Sequence, residues 1–100
     1  MAASETPTLL SSQKTVAVAG TAEALSSTSL SVRSVTLVAK TANTGRVYVG
    51  GAGVNSTVNA GLQAGDALKH TPAAVWIDLK DVYVNADVNG EGVDFYAVKA

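Results

Sequence analysis

The segment Asp87-Val88-Asn89-Gly90-Glu91-Gly92-Val93-Asp94 sets oxygen-bearing side chains at alternate positions around a glycine, as the start of a calcium loop does. An EF-hand also needs flanking helices and a bidentate Glu at its twelfth loop position, which counted from Asp87 is Val98. The segment is therefore read as a tight turn at Asn89-Gly90 whose carboxylates solvate the tip, with no metal. His70 is the only histidine, so a Ser-His-Asp relay would have to be built on it, and no serine stands in a Gly-x-Ser-x-Gly elbow. Beside a Pro-containing loop, His70 reads as a surface residue. Asp78 with Asp81, or Asp87 with Asp94, offers the paired carboxylates of a glycosidase, but short loops of small residues give little wall for a substrate cleft. Gly50-Gly51-Ala52-Gly53-Val54-Asn55 could bring backbone amides to a phosphate, yet neither a helix pattern nor a lysine follows it, and the third glycine of a dinucleotide fingerprint is missing. The expectation is a non-enzyme with no catalytic residue, cofactor or metal.

What remains is contact chemistry. Trp76 sits near a loop-strand boundary, where its ring either caps an open end of the fold or anchors an interface, a role in which tryptophan is enriched. Tyr48, Tyr83 and Tyr96 fall within strand patterns, and a phenol suits a half-exposed position on a sheet face. Leu9-Leu10 is the one apolar pair in an otherwise small and polar start, and Pro7 opposes regular pairing there. Leu9, Leu10, Trp76 and Tyr83 are the candidate partner-binding residues.

The elements that must position these residues follow a period of two. In Asp81-Val82-Tyr83-Val84-Asn85-Ala86-Asp87-Val88, the residues Val82, Val84, Ala86 and Val88 fall on one face, expected in the core, and Tyr83, Asn85 and Asp87 on the other. Residues 75–99 read as a closing hairpin bent at Asn89-Gly90. Residues 35–40 and 46–50 read as a second hairpin around Asn43-Thr44-Gly45. Lys14 to Val18 resembles a first strand, Gly20-Thr21 a turn, and Ala22 to Leu25 a short strand. Ala64-Gly65 marks another turn before a short strand that reaches His70. Seven or eight short strands at this spacing argue for an all-β fold, an antiparallel β-sandwich of jelly-roll or Ig-like type. Residues 1–13 are expected as a flexible arm and residues 14–100 as a single sandwich domain.

Composition narrows the function classes. A net charge of −1, with seven basic residues scattered singly, gives no attraction toward phosphate backbones, so nucleic acid is not expected as a partner. The absence of cysteine excludes disulfides and thiolate zinc sites. No stretch approaches the roughly 20 apolar residues of a membrane span, and the first residues lack a secretion-signal pattern, so cytoplasmic synthesis and no membrane partner are expected. Aromatic residues make up only 5% of the chain, which implies a thin core and a role for neighbours in completing burial.

Three pieces together resemble small β-sandwich structural proteins of tailed bacteriophages. They are Ser34-Val35-Thr36-Leu37-Val38-Ala39 with Asn43-Thr44-Gly45-Arg46-Val47-Tyr48-Val49-Gly50; the bend Gly61-Leu62-Gln63-Ala64-Gly65-Asp66; and Ile77-Asp78-Leu79-Lys80-Asp81-Val82-Tyr83-Val84-Asn85-Ala86 through Val93-Asp94-Phe95-Tyr96-Ala97. The resemblance spans residues 34–98, and residues 1–33 carry none of it. It implies a non-enzymatic virion protein, assembled in the host cytoplasm, that decorates or cements the capsid by binding the major capsid protein or other virion proteins and itself. The nearest alternatives it leaves are a tail or neck accessory component, and a carbohydrate- or receptor-binding sandwich module.

Overall fold

The computed structural model describes residues 8–57, 60–70 and 76–99. The fold is all-β and antiparallel. Its strands are β1 (Thr8–Thr15), β2 (Glu23–Ala24), β3 (Ser31–Val32), β4 (Ser34–Ala39), β5 (Val47–Gly50), β6 (Ala67–His70), β7 (Ile77–Asp78), β8 (Tyr83–Ala86) and β9 (Gly92–Lys99), with a short 3-10 turn at Leu79–Asp81. They form a four-stranded sheet in the order β1-β9-β4-β6, a three-stranded sheet β2-β8-β5, and the pair β3-β7.

Alternation places the core as the sequence pattern requires. Val35, Leu37 and Ala39 of β4 and Val93, Phe95 and Ala97 of β9 are buried from the larger sheet, and Val47, Val84 and Ala86 from the smaller one. Side chains from both sheets thus meet in one apolar layer, a sandwich-like arrangement closed by Val16, Leu25, Val32 and Leu79. Asp78 fixes the 3-10 turn that carries Leu79 inward. Its carboxylate accepts from Lys80 N (2.9 Å), Leu30 N (2.9 Å) and the Ser29 hydroxyl, while Leu79 N donates to Leu30 O at 2.9 Å.

Neither expected hairpin closes on itself. β4 pairs with β9 and β6, whereas β5 pairs with β8; likewise β8 pairs with β5 and β2, whereas β9 pairs with β1 and β4. Each turn therefore carries the chain from one sheet to the other. The reason lies in the contacts between the two turns. Glu91 accepts from Thr44 N (2.7 Å), Thr44 Oγ1 (2.9 Å) and Gly45 N (2.9 Å), and Asn43 Nδ2 donates to Gly92 O at 2.8 Å. Asp87 N donates to Arg46 O (3.1 Å), and Arg46 N returns a bond to Asp87 Oδ2 (3.3 Å). The turns clasp each other more extensively than either closes its own strands. A Cβ at Gly45 would stand 2.9 Å from Asp87 Cβ, so this approach requires glycine there.

Two further expectations change. Residues 8–13, expected within a flexible arm, belong to β1, which pairs residue for residue with β9 from Thr8↔Lys99 to Thr15↔Gly92. Eight consecutive residues without proline are free to extend along an available edge, and Pro7 lies just before them, with residues 1–7 outside the described residues. On β8, Val84 and Ala86 are buried as expected, but Val88 is exposed, since the chain has by then left the strand. Asn85 of the opposite face is 2% exposed rather than solvent-facing. It lies under the turn at Gly20 and the glycine loop: Nδ2 donates to Val54 O at 3.0 Å, and Oδ1 accepts from Gly20 N at 3.0 Å and Ala86 N at 2.8 Å. With Tyr48 and Val54 it forms a small second layer outside the three-stranded sheet.

Candidate functional site

The carboxylates that could have done chemistry serve as struts. Glu91 lies below its ordinary pKa because the Gly45 and Thr44 amides hydrogen-bond the ionised form, and Asp78 is lowered first by the Ser29 hydroxyl and then by the Leu30 and Lys80 amides. Glu23 is lowered by the Ala17 amide (2.8 Å) and by Lys14, whose Nζ stands 3.0 Å away; this pair ties the end of β1 to β2. Asp87 accepts the Tyr48 hydroxyl on both oxygens at 3.0 Å, and burial, followed by this carboxylate, pushes the Tyr48 phenol above its usual value. Asp94 pairs with Lys40 at 2.6 Å, and the same ammonium donates to Gln13. Asp87, Glu91 and Asp94 thus point to separate partners, and among the described residues no three metal-ligating side chains converge.

The glycine loop is likewise committed to structure. Val54 N closes a turn on Gly51 O at 3.0 Å, and its carbonyl is spent on Asn85. His70 ends the edge strand β6 opposite Val35 and lines an apolar cleft of about 310 Å³ with Leu37, Val49, Leu68 and Val82.

The exposed large side chains lie elsewhere. Leu9 (70% exposed), Val18 (58%), Trp76 (52%) and Tyr96 (46%) are the most accessible large apolar side chains among the described residues. Because Val93, Phe95 and Ala97 point inward, Asp94, Tyr96 and Val98 point out from the middle of the four-stranded sheet. Cross-strand register sets Leu9 beside Val98, and Tyr96 between Ser11 and Thr36. Leu9 and Tyr96 are diagonal neighbours on that face. Arg33 N donates to Val98 O at 2.6 Å, and the Arg33 guanidinium lies 5.9 Å from the centre of the Trp76 ring. Trp76 therefore adjoins the same end of the sheet as Leu9.

Of the four sequence candidates, Leu9 lies on the four-stranded sheet and Trp76, just before β7 of the β3-β7 pair, adjoins the same end of it through Arg33. Leu10 points the other way, half-buried against the core, and serves packing. Tyr83 is half-buried on β8 of the second sheet, paired with Ala24 and Gly50. Sequence reasoning gave Tyr96 no more weight than the other tyrosines; the signal that distinguishes it is its parity with respect to Val93, Phe95 and Ala97. Comparisons with protein families, curated proteins and solved structures give no match to this chain.

Proposed function

We propose that this protein is a non-enzymatic structural module of a tailed-phage virion, a capsid decoration or cement protein that binds the head through the outer face of its four-stranded sheet. The observation that carries this reading is the pair of exposed side chains Leu9 and Tyr96, set around half-buried Val98 on the outer face of the four-stranded sheet, with exposed Trp76 beside Arg33 near the same end. Large rings anchor interfaces, and small contacts repeated over a symmetric shell gain avidity beyond any single contact. The low net charge and the resemblance over residues 34–98 support the same assignment. The partners are the major capsid protein or a neighbouring virion protein.

Removing residues 1–13 would delete most of β1 and so damage the fold, so point variants are the proper test. Purified protein is mixed with heads of its cognate phage that lack it, and cosedimentation is measured for the wild type and for Leu9→Ser, Tyr96→Ser and Trp76→Ser. The expected result is saturable binding weakened at least about tenfold by Tyr96→Ser or Trp76→Ser, the scale of a lost hot-spot residue. Binding to tails alone would move the protein to a tail or neck position. Absence of binding to either particle would overturn the virion reading.

A further inference from the structure

We propose that β1 is a self-pairing edge, through which two copies join by a two-fold axis into one continuous eight-stranded sheet. β1 is an outer strand of the larger sheet, and no other described strand lies beyond it. Natural edge strands are usually blunted by proline, a bulge, outward charge or brevity. β1 has none of these: it runs eight residues in unbroken register with β9, contains no proline, and its single charge, Lys14, is neutralised by Glu23 at 3.0 Å. The opposite edge, β6, is only four residues long, includes Lys69 and follows Asp66, so it is the protected one.

The ladder shows which backbone groups face outward. Val16 N donates to Glu91 O at 2.9 Å, on the same register that pairs Lys14 with Val93 and Leu10 with Ala97. Hydrogen-bonded pairs alternate along an antiparallel ladder, so the even residues of β1 bond to β9. The amides and carbonyls of Leu9, Ser11, Gln13 and Thr15 therefore point to the free edge. A two-fold axis through Ser12 matches them with one another: Leu9 exchanges bonds with Thr15 of the second copy, and Ser11 with its Gln13. Each sheet face continues as the same face across the axis, because the paired positions share parity. Lys14 then sits opposite Leu10, so no like charges meet. The edge is self-complementary in hydrogen bonding, side-chain face and charge, as an isologous contact must be. This proposal is independent of the virion reading, since it concerns the protein alone.

The test combines analytical ultracentrifugation over a wide concentration range with amide hydrogen exchange on the full chain. The expected result is a monomer-dimer equilibrium in which the Leu9, Ser11, Gln13 and Thr15 amides gain protection as dimer forms. The double variant Ser11→Lys/Gln13→Lys opposes like charges across the axis and should weaken dimerisation at least about tenfold. Ser11→Lys/Gln13→Glu places opposite charges across the same contact and should restore it. Ser11→Pro removes one outward N–H without touching the β1-β9 ladder and should give a folded monomer by circular dichroism. Should a lysine variant fail to fold, the exchange pattern of the unmodified chain still decides. A chain monomeric at all concentrations, a dimer whose odd β1 amides stay unprotected, or open-ended or cyclic assembly through β6 would each overturn the proposal.

Discussion

Replacing Asn85 with alanine should be among the most damaging polar changes in the protein, and its cost can be worked from the contacts. Asn85 is 2% exposed and supplies the donor that Val54 O uses, at 3.0 Å. Its Oδ1 accepts from Gly20 N at 3.0 Å, but that amide also reaches Ala86 O at 3.2 Å and so keeps a partner in the variant. The alanine variant thus strands two groups, the carbonyl of Val54, a residue only 3% exposed, and the amide of Ala86, which donates to Oδ1 at 2.8 Å. Each unsatisfied buried group costs about 1–3 kcal/mol, so two of them with the small void left behind cost about 3–5 kcal/mol. For a domain of this size that lowers Tm by roughly 15–30 °C. Urea unfolding followed by tryptophan fluorescence and circular dichroism measures it. Asn85→Asp sharpens the test, because an ionised carboxylate cannot donate to Val54 O, whereas a protonated one can. Its folded-state pKa should rise, so the deficit relative to wild type should be smallest in acid and grow as pH rises. If both variants lie within about 0.5 kcal/mol of wild type, Asn85 does not hold the glycine loop to the sheet.

Gly92→Ala should disrupt the β1-β9 ladder at its start, because the added Cβ would stand 2.0 Å from Lys14 O and 2.7 Å from Thr15 Cα, both backbone atoms that no rotamer change can move. Its readout is lost exchange protection along β1. Gly90→Ala, strained only by φ +82° with open space around it, should cost about 1 kcal/mol and leave β1 protected. Acid should destabilise the protein through Glu23, Asp78 and Glu91: their folded pKa values are lowered, so their contribution is whole above the ordinary carboxylate range of about 4 and is lost as pH falls through the lowered values. Glu91→Gln should flatten that acid limb in a pH series of urea midpoints, and an unchanged limb would remove Glu91 from the account. Tyr48→Phe should lose the bonds to Asp87 and abolish any fall in stability above about pH 10, because a phenol whose folded pKa is raised stabilises below that range and ceases to as pH rises through it.

Much of the local grammar was legible in the sequence. The period of two placed Val84 and Ala86 inside, and the turns at Ala64-Gly65 and Asn89-Gly90 occur where glycine was needed, with φ of +87° at Gly65 and +82° at Gly90. The exposed positions of Leu9 and Trp76 were half legible, since residue type suggested contact but only the register of β1 on β9 and the approach of Arg33 to the Trp76 ring set them near the same end. Leu10, Asn85 and Tyr96 were read less well, because the fate of each depends on what lies across from it.

Tertiary structure alone decided which strands pair. Alternation specifies the two faces of a strand through its side chains, yet the hydrogen bonds that join strands belong to the backbone, which is the same at every residue and carries no address. A turn such as Asn43-Thr44-Gly45 or Asn89-Gly90 can return a strand to its neighbour or carry it to the facing sheet. The choice here was made by Glu91 reaching Thr44 and Gly45, Asn43 reaching Gly92, and Asp87 reaching Arg46, contacts that bridge more than 40 positions of chain. The sequence by itself determined an alternating chain with apolar faces and glycine turns; packing the two faces against each other turned its expected hairpins into crossings and made β1 the outermost described strand of the larger sheet.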